Sequence, residues 1–277
     1  MSQPTAANQR EIETRGPLAG RVTVPGSKSL TNRALLLAAL ADGKSQLVGG
    51  LESDDTVVMR TALAAVGIKV ETSTEASGAE AWIVHGGGGQ FVSPDPKRDL
   101  VLDCGNSGTT LRFLTAALSL SSGPIILDGN ARMRERPIAD LAAALRALGA
   151  ELTIEGEQDC PPIRLQGGGL AGGSVLIDGS QSSQYVSAVA QIAPYAARDV
   201  EIDFKDGVIV SRPYIDLTLD VMRTFGADAE WREGDRLWIK AGQPYQARNY
   251  TIEPDASSAA YPFCAAAIAG GQVSVSG

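Results

Sequence analysis

The chain has 277 residues, of which 44% are hydrophobic and 20% charged, with a net charge of −8. Such a balance suits a globular protein with one large core or two modest ones, and it argues against nucleic acid as a general partner because no basic stripe is present. No apolar run approaches the ~20 residues of a membrane-spanning helix, so no membrane partner is expected. Cys104, Cys160 and Cys264 are widely spaced and form no metal-ligand pair, and the first sixteen residues are polar, with no signal-peptide core. Reduced thiols and a cytoplasmic setting follow.

Taken in order, the first predicted element is a strand at Arg21–Val24, where Val22 and Val24 share one face. Pro25-Gly26 ends it with a turn. A helix opens at Ser27 or Lys28, with Leu30, Ala34 and Leu37 along one side. The stretch Gly26-Ser27-Lys28-Ser29-Leu30-Thr31-Asn32-Arg33 therefore sits at a helix mouth, where unpaired N–H groups and the helix dipole attract anions. Ser29 and Arg33 are four residues apart and share a face, whereas Lys28 points elsewhere. From this stretch alone, anion binding and simple Ser capping are both open. A nucleotide P-loop is excluded, because no glycine precedes Lys28. Asp54-Asp55 reads as a cap for a helix from Thr56 to Val66. His85 precedes four glycines and reads as a surface-loop residue.

Repetition organises the rest. The order strand, Ser-rich helix mouth, apolar helix, Gly, strand occurs four times, starting near Val22, Leu100, Val175 and Tyr250. Ser29, Ser107, Ser182 and Ser257 mark the mouths, at separations of 78, 75 and 75 residues. The first three copies are each followed by an amphipathic helix (56–66, 138–148, 215–225), a glycine at 67, 149 or 226, and a strand. These glycines stand where a helix C-terminus takes a left-handed residue. An α/β (α+β) chain of three similar units with helices packed on sheets is expected. The fourth copy stops after its first half. Its apolar helix, Ala259 to Ala269, then has no partner, and a chain cut inside a repeat is expected. Pro262 lies inside that helix and should kink it.

The other mouths differ in chemistry. Gly105-Asn106-Ser107-Gly108-Thr109 lets the backbone approach a ligand, and Gln181-Ser182-Ser183-Gln184 offers only hydrogen-bonding side chains. The loop Arg132-Met133-Arg134-Glu135-Arg136-Pro137 carries three arginines, which suit phosphate or carboxylate. For any one of them alone, pairing with Glu135 or Asp140 on the surface is favoured. As a set they favour an anion. Gly167 to Gly172 matches the dinucleotide glycine pattern, but a strand follows it, so that reading fails its context.

These motifs, with Ser211-Arg212-Pro213-Tyr214, resemble in order the 5-enolpyruvylshikimate-3-phosphate synthase family over nearly the whole chain. The resemblance implies pseudo-threefold βαβαββ repeats in an enolpyruvyl transferase-like fold (an inside-out α/β barrel). Residues 25–249 would form a complete domain, and residues 1–24 and 250–277 part of a discontinuous one. It also implies a carboxyvinyl transferase: the enolpyruvyl group of phosphoenolpyruvate would move to the 5-hydroxyl of shikimate 3-phosphate, releasing phosphate, in chorismate biosynthesis. Lys28 would be the catalytic residue. Phosphoenolpyruvate would meet Lys28, Gly108, Arg132 and Gln184. Shikimate 3-phosphate would meet Lys28, Ser29, Arg33, Thr109, Ser182, Ser183, Gln184, Ser211 and Tyr214.

No cofactor and no metal are implied. The family's later carboxylates would lie beyond residue 277, so weak binding and poor turnover are expected of this chain, with a complementing C-terminal fragment as a partner. Asp255 matches a family position and reads as a helix cap. Ser107 replaces a frequent Ala and Phe113 a frequent Pro, which leaves glyphosate sensitivity open. Two alternatives stand: a non-catalytic half-protein that binds shikimate 3-phosphate or a complementing fragment, and a UDP-N-acetylglucosamine enolpyruvyl transferase. The second usually has a loop cysteine ahead of its arginine, and this chain has none between Asp128 and Arg132.

Overall fold

A computed structural model describes residues 16–75, 78–95 and 97–276. The chain divides into two units, one made of residues up to Pro25 and from Pro254 onward, the other of Gly26–Glu253. The first strand, β1 (Leu18–Thr23), belongs to the smaller unit.

The larger unit repeats one pattern three times. In the middle copy, β5 (Leu100–Asp103), α3 (Gly108–Ala117), β6 (Ser122–Asp128), α4 (Ala139–Ala147), β7 (Glu151–Ile154) and β8 (Ile163–Gly167) follow in order. Their strands form a sheet ordered β5-β6-β8-β7, with the first pair parallel and the other two antiparallel. The next copy uses β9 (Gly173–Ile177), α5 (Ser183–Ile192), β10 (Val200–Phe204), α6 (Arg212–Thr224), β11 (Ala229–Arg232) and β12 (Arg236–Ile239) with the same pairing. The first copy has α1 (Lys28–Leu40), β2 (Asp42–Val48), α2 (Asp54–Ala65), β3 (Lys69–Thr74) and β4 (Glu80–Gly87). Its missing parallel strand is β13 (Asn249–Thr251), which pairs with β2.

This corrects the repeat reading in one respect. The strand before α1 does not join β2: β1 pairs in parallel with β14 (Gly271–Ser276) instead. The first and fourth copies have exchanged strands. Two short strands of alternating apolar residues look alike, so periodicity does not say which sheet each one joins. Because β13 sits on β2, the boundary between units falls at Glu253/Pro254, not at 249/250.

Composition explains the layering. Every residue of α1 from Leu30 to Leu40 is buried, and α3 and α5 are buried over almost all their length. A helix that is apolar all round must lie inside. α3 packs on both α1 and α5, so the helices fill the interior and the three separate sheets face outward without closing into a barrel. α2, α4 and α6 bury one side only. Each is followed by a glycine with positive φ, Gly67 (90°), Gly149 (101°) and Gly226 (99°), where a Cβ would strain the reversal into the next strand. His85 lies within β4, paired across to Lys69 and bonded to Glu71 at 2.9 Å, so it is a strand residue and not part of a loop.

In the smaller unit, α7 (Ala256–Ala269) packs on β1 and β14. Asp255 caps it, accepting from the Ser257 N–H at 3.0 Å and the Ser258 hydroxyl at 2.9 Å. The helix runs on through Pro262. No residue of α7 is buried, and Tyr261, Phe263 and Ile268 are exposed. Among the described residues, no helix is long and apolar enough to cross a membrane.

Leu36 is fully buried in α1. Replacing it with alanine is expected to cost about 2–5 kcal/mol, read as a lower urea midpoint of the larger unit.

Candidate anion-binding site

The shared interior brings helix N-termini together. Ser27, Ser107 and Ser182 cap α1, α3 and α5, accepting from the N–H groups of Leu30 (3.4 Å), Thr110 (3.3 Å) and Gln184 (3.2 Å). Capping thus falls to these serines, each two positions before Ser29, Thr109 and Gln184 respectively. Asp255 rather than Ser257 caps the fourth mouth.

A cavity of 350 Å³ opens between these mouths and the start of α6. From α1 it is lined by Lys28, Ser29 and Arg33, from α3 by Thr109, and from α5 by Ser182, Ser183 and Gln184. Ser211 and Tyr214 close it from α6. Asn32, Gln181 and Val210 complete the lining, which contains two cations and no carboxylate. Ser211 is left-handed (φ 53°) and its side chain makes no capping bond. Backbone strain at a non-glycine residue is held here by its surroundings, and it leaves the hydroxyl uncommitted to the helix.

Arg33 dominates the electrostatics. It is 3% exposed and has no acidic partner among the described residues. Nε donates to the Thr218 hydroxyl (2.6 Å), Nη1 to the Ser29 carbonyl (3.0 Å), and Nη2 to the Ser187 hydroxyl and the Tyr214 carbonyl (3.2 Å each). Its ring neighbour is Phe113, with the guanidinium carbon 5.4 Å from the ring centroid. Burial pulls its pKa down to about 10, so the group stays charged at neutral pH. Of five N–H groups, four are used and one on Nη1 has no partner among the described residues. A buried cation without a counter-ion stabilises an incoming anion.

Lys28 is half exposed and pairs with Asp55 at 2.9 Å. This corrects the reading of Asp54-Asp55 as a cap. Ser53 caps α2, which starts at Asp54, and Asp55 turns back to the lysine. Burial would raise the Asp55 pKa, but hydrogen bonds from Ser107 and Lys28 outweigh it and hold the carboxyl below its ordinary value. Gln184 is fixed from both ends, donating to Thr109 Oγ1 at 3.1 Å and accepting from Arg112 Nη1 at 2.5 Å. Arg112 in turn lies over Tyr185.

The arginine loop is arranged differently. Arg132 bonds Glu135 at 2.5 Å, and Arg134 grips Asp128 through two bonds of 2.9 and 2.5 Å. Arg132 and Gly108 are not in the cavity lining. Gly108 lies beside Arg136, whose Nη1 would be 2.9 Å from a Cβ at that position, so a side chain there would push the arginine aside. Cys104 is fully buried and its thiol is pushed up to about 12, which makes it a packing residue rather than a nucleophile.

Sequence reasoning did not find Asp55 as a partner of Lys28, nor Arg112, Ser187 or Thr218. Acid residues before a helix signal capping first. Hydroxyls inside a helix carry no signal of their own.

Residues 12–277 match the family model for EPSP synthase (3-phosphoshikimate 1-carboxyvinyltransferase). The chain belongs to the EPSP synthase family. Over 259 residues it is 47% identical to 3-phosphoshikimate 1-carboxyvinyltransferases of Sulfurovum sp. (strain NBC37-1) and of Escherichia coli (strain SMS-3-5 / SECEC), covering 93% of this chain and 59% of each relative. An EPSP synthase from Acinetobacter baumannii superposes with a TM-score of 0.79 at 28% identity, over 94% of this chain and 56% of that one. The chain therefore spans less than two thirds of the length of these family members.

The depressed Asp55 pKa means the Lys28 pair contributes above the ordinary aspartate range and is lost as pH falls below it. Asp55→Asn is expected to lower stability by about 0–1 kcal/mol at neutral pH, because the pair is partly solvated. It should also flatten the acid limb of a pH–melting profile. An unchanged limb would show that the pair forms only weakly.

Proposed function

We propose that the cavity binds shikimate 3-phosphate, and that the protein transfers the enolpyruvyl group of phosphoenolpyruvate to its 5-hydroxyl, releasing phosphate. The observation that carries this reading is the buried, uncompensated Arg33 guanidinium where the helix mouths converge. Ser29, Arg33, Thr109, Ser182, Ser183, Ser211 and Tyr214 would hold the phosphate, carboxylate and hydroxyl groups of shikimate 3-phosphate. Phosphoenolpyruvate would sit beside it, against Lys28, Gln184 and the Gly108 amide. Arg132 would join once it exchanges Glu135 for the substrate. Lys28 and Gln184 reach both ligands.

Chemically, the site aligns a hydroxyl with the enol carbon and stabilises negative charge, work that needs no metal or organic cofactor. Lys28, fixed by Asp55, is the group placed to act on the reacting atoms. The cavity lining offers no carboxylate for proton transfer at the enol methylene. We assign that role to a complementing segment, and the exposed apolar side chains of α7 suit its docking on the smaller unit. The setting proposed is cytoplasmic.

Calorimetry tests the reading. Shikimate 3-phosphate should bind the 277-residue chain 1:1, with affinity falling as salt rises. Lys28→Met should weaken phosphoenolpyruvate binding in the presence of shikimate 3-phosphate at least tenfold, and leave the melting temperature within a few degrees. A folded chain that ignores millimolar shikimate 3-phosphate would overturn the proposal. Binding of UDP-N-acetylglucosamine instead would favour the other transferase, a reading opposed by the inert Cys104.

A further inference from the structure

Behind Arg33, away from the cavity lining, lies a pair of fully buried hydroxyls from two different helices: Ser187 in α5 and Thr218 in α6. Their oxygens are 2.8 Å apart. Each has one proton, and the contacts settle where it goes. Thr218 Oγ1 lies 2.8 Å from the Tyr214 carbonyl, which can only accept, so Thr218 donates there. Ser187 must then donate to Thr218. Both oxygens are left presenting lone pairs to the guanidinium, which gives them Nε–H at 2.6 Å and one Nη2–H at 3.2 Å. The remaining Nη2–H and one Nη1–H reach the Tyr214 and Ser29 carbonyls. Four neutral acceptors thus hold the guanidinium in one plane without cancelling its charge. A carboxylate in their place would anchor Arg33 equally well and neutralise it.

We infer that Ser187 and Thr218 are positioning residues for anion binding: they lock the Arg33 guanidinium so that its one unused N–H, on Nη1, serves the cavity with full positive charge. The inference rests on the proposed shikimate 3-phosphate reading and extends it to two residues that touch no ligand. Without Thr218 Oγ1, the Nε–H is buried and unpaired, and the guanidinium turns to find another acceptor. The tenfold or greater loss of affinity would then arise from Arg33 being misdirected.

The test compares the 277-residue chain with its Thr218→Val and Thr218→Ser variants, by shikimate 3-phosphate calorimetry, thermal melting and NMR of the Arg33 Nε–H. Valine keeps the shape of threonine and removes the acceptor. Thr218→Val should bind at least tenfold more weakly while still melting cooperatively, and Thr218→Ser should restore affinity to within about threefold of the parent. Exchange of the Arg33 Nε–H with water should be slow in the parent and the serine variant, and at least tenfold faster in the valine variant. A folded Thr218→Val chain with parental affinity, or with parental Nε–H exchange, overturns the inference. Should Thr218→Val fail to fold, Ser187→Ala is the substitute, with the same two readouts and the same criteria. Failure of the parent to bind shikimate 3-phosphate overturns the functional reading alone. The exchange rates still decide whether the hydroxyl pair holds Arg33.

Discussion

Burial of three apolar helices against one another is the constraint on which everything else in the larger unit depends. Beyond their polar first turns α1, α3 and α5 are buried almost throughout, covered by one another, by α2, α4 and α6 and by the sheets outside them. α3 and α5 each follow the parallel edge strand of their own sheet, and the N-termini of all three helices line one cavity. The cavity is a by-product of that packing. Part of its polarity comes from backbone groups and short hydroxyl side chains that helix starts supply in any case, and Lys28 and Arg33 add the charge.

On this base the charges are set with unequal freedom. Arg33 is desolvated, held by neutral acceptors and without a counter-ion among the described residues, whereas Lys28 is half exposed and keeps Asp55. In the 132–136 loop, Arg132 and Arg134 are exposed and paired with Glu135 and Asp128. Fixed and adjustable cations thus sit side by side. Under the proposed function, a ligand held first by the rigid group would draw the others from their carboxylates, since exchange of one ion pair for another near the surface costs little.

Much of this was legible in the chain. The 75- to 82-residue spacings of Ser and Gly showed the repeats, and Gly67, Gly149 and Gly226 occupy the left-handed positions that their spacing implied. Nine of the eleven residues that the family resemblance assigned to substrates line one cavity. What escaped was long-range and side-chain specific. Nothing local distinguishes Arg21–Val24 from Tyr250–Glu253 as partners of β2. Asp55 obeys the rule for acidic residues in a first helical turn and also serves a lysine from another helix. Thr218 is an ordinary helix residue until Arg33 is placed against it.

The strand exchange between the first and fourth copies has a consequence for how the chain is made. Asn249 pairs with Gln46, roughly two hundred residues earlier. On a ribosome, β2 therefore emerges with one edge bare and keeps it bare until nearly the whole larger unit has been synthesised. Two of the three sheets can form as they appear, because their four strands are consecutive. The first cannot. An unpaired edge is a place where foreign strands add, and closure of so long a loop is slow. For the larger unit the vulnerable interval is thus its birth, and the residue that ends it is Thr251.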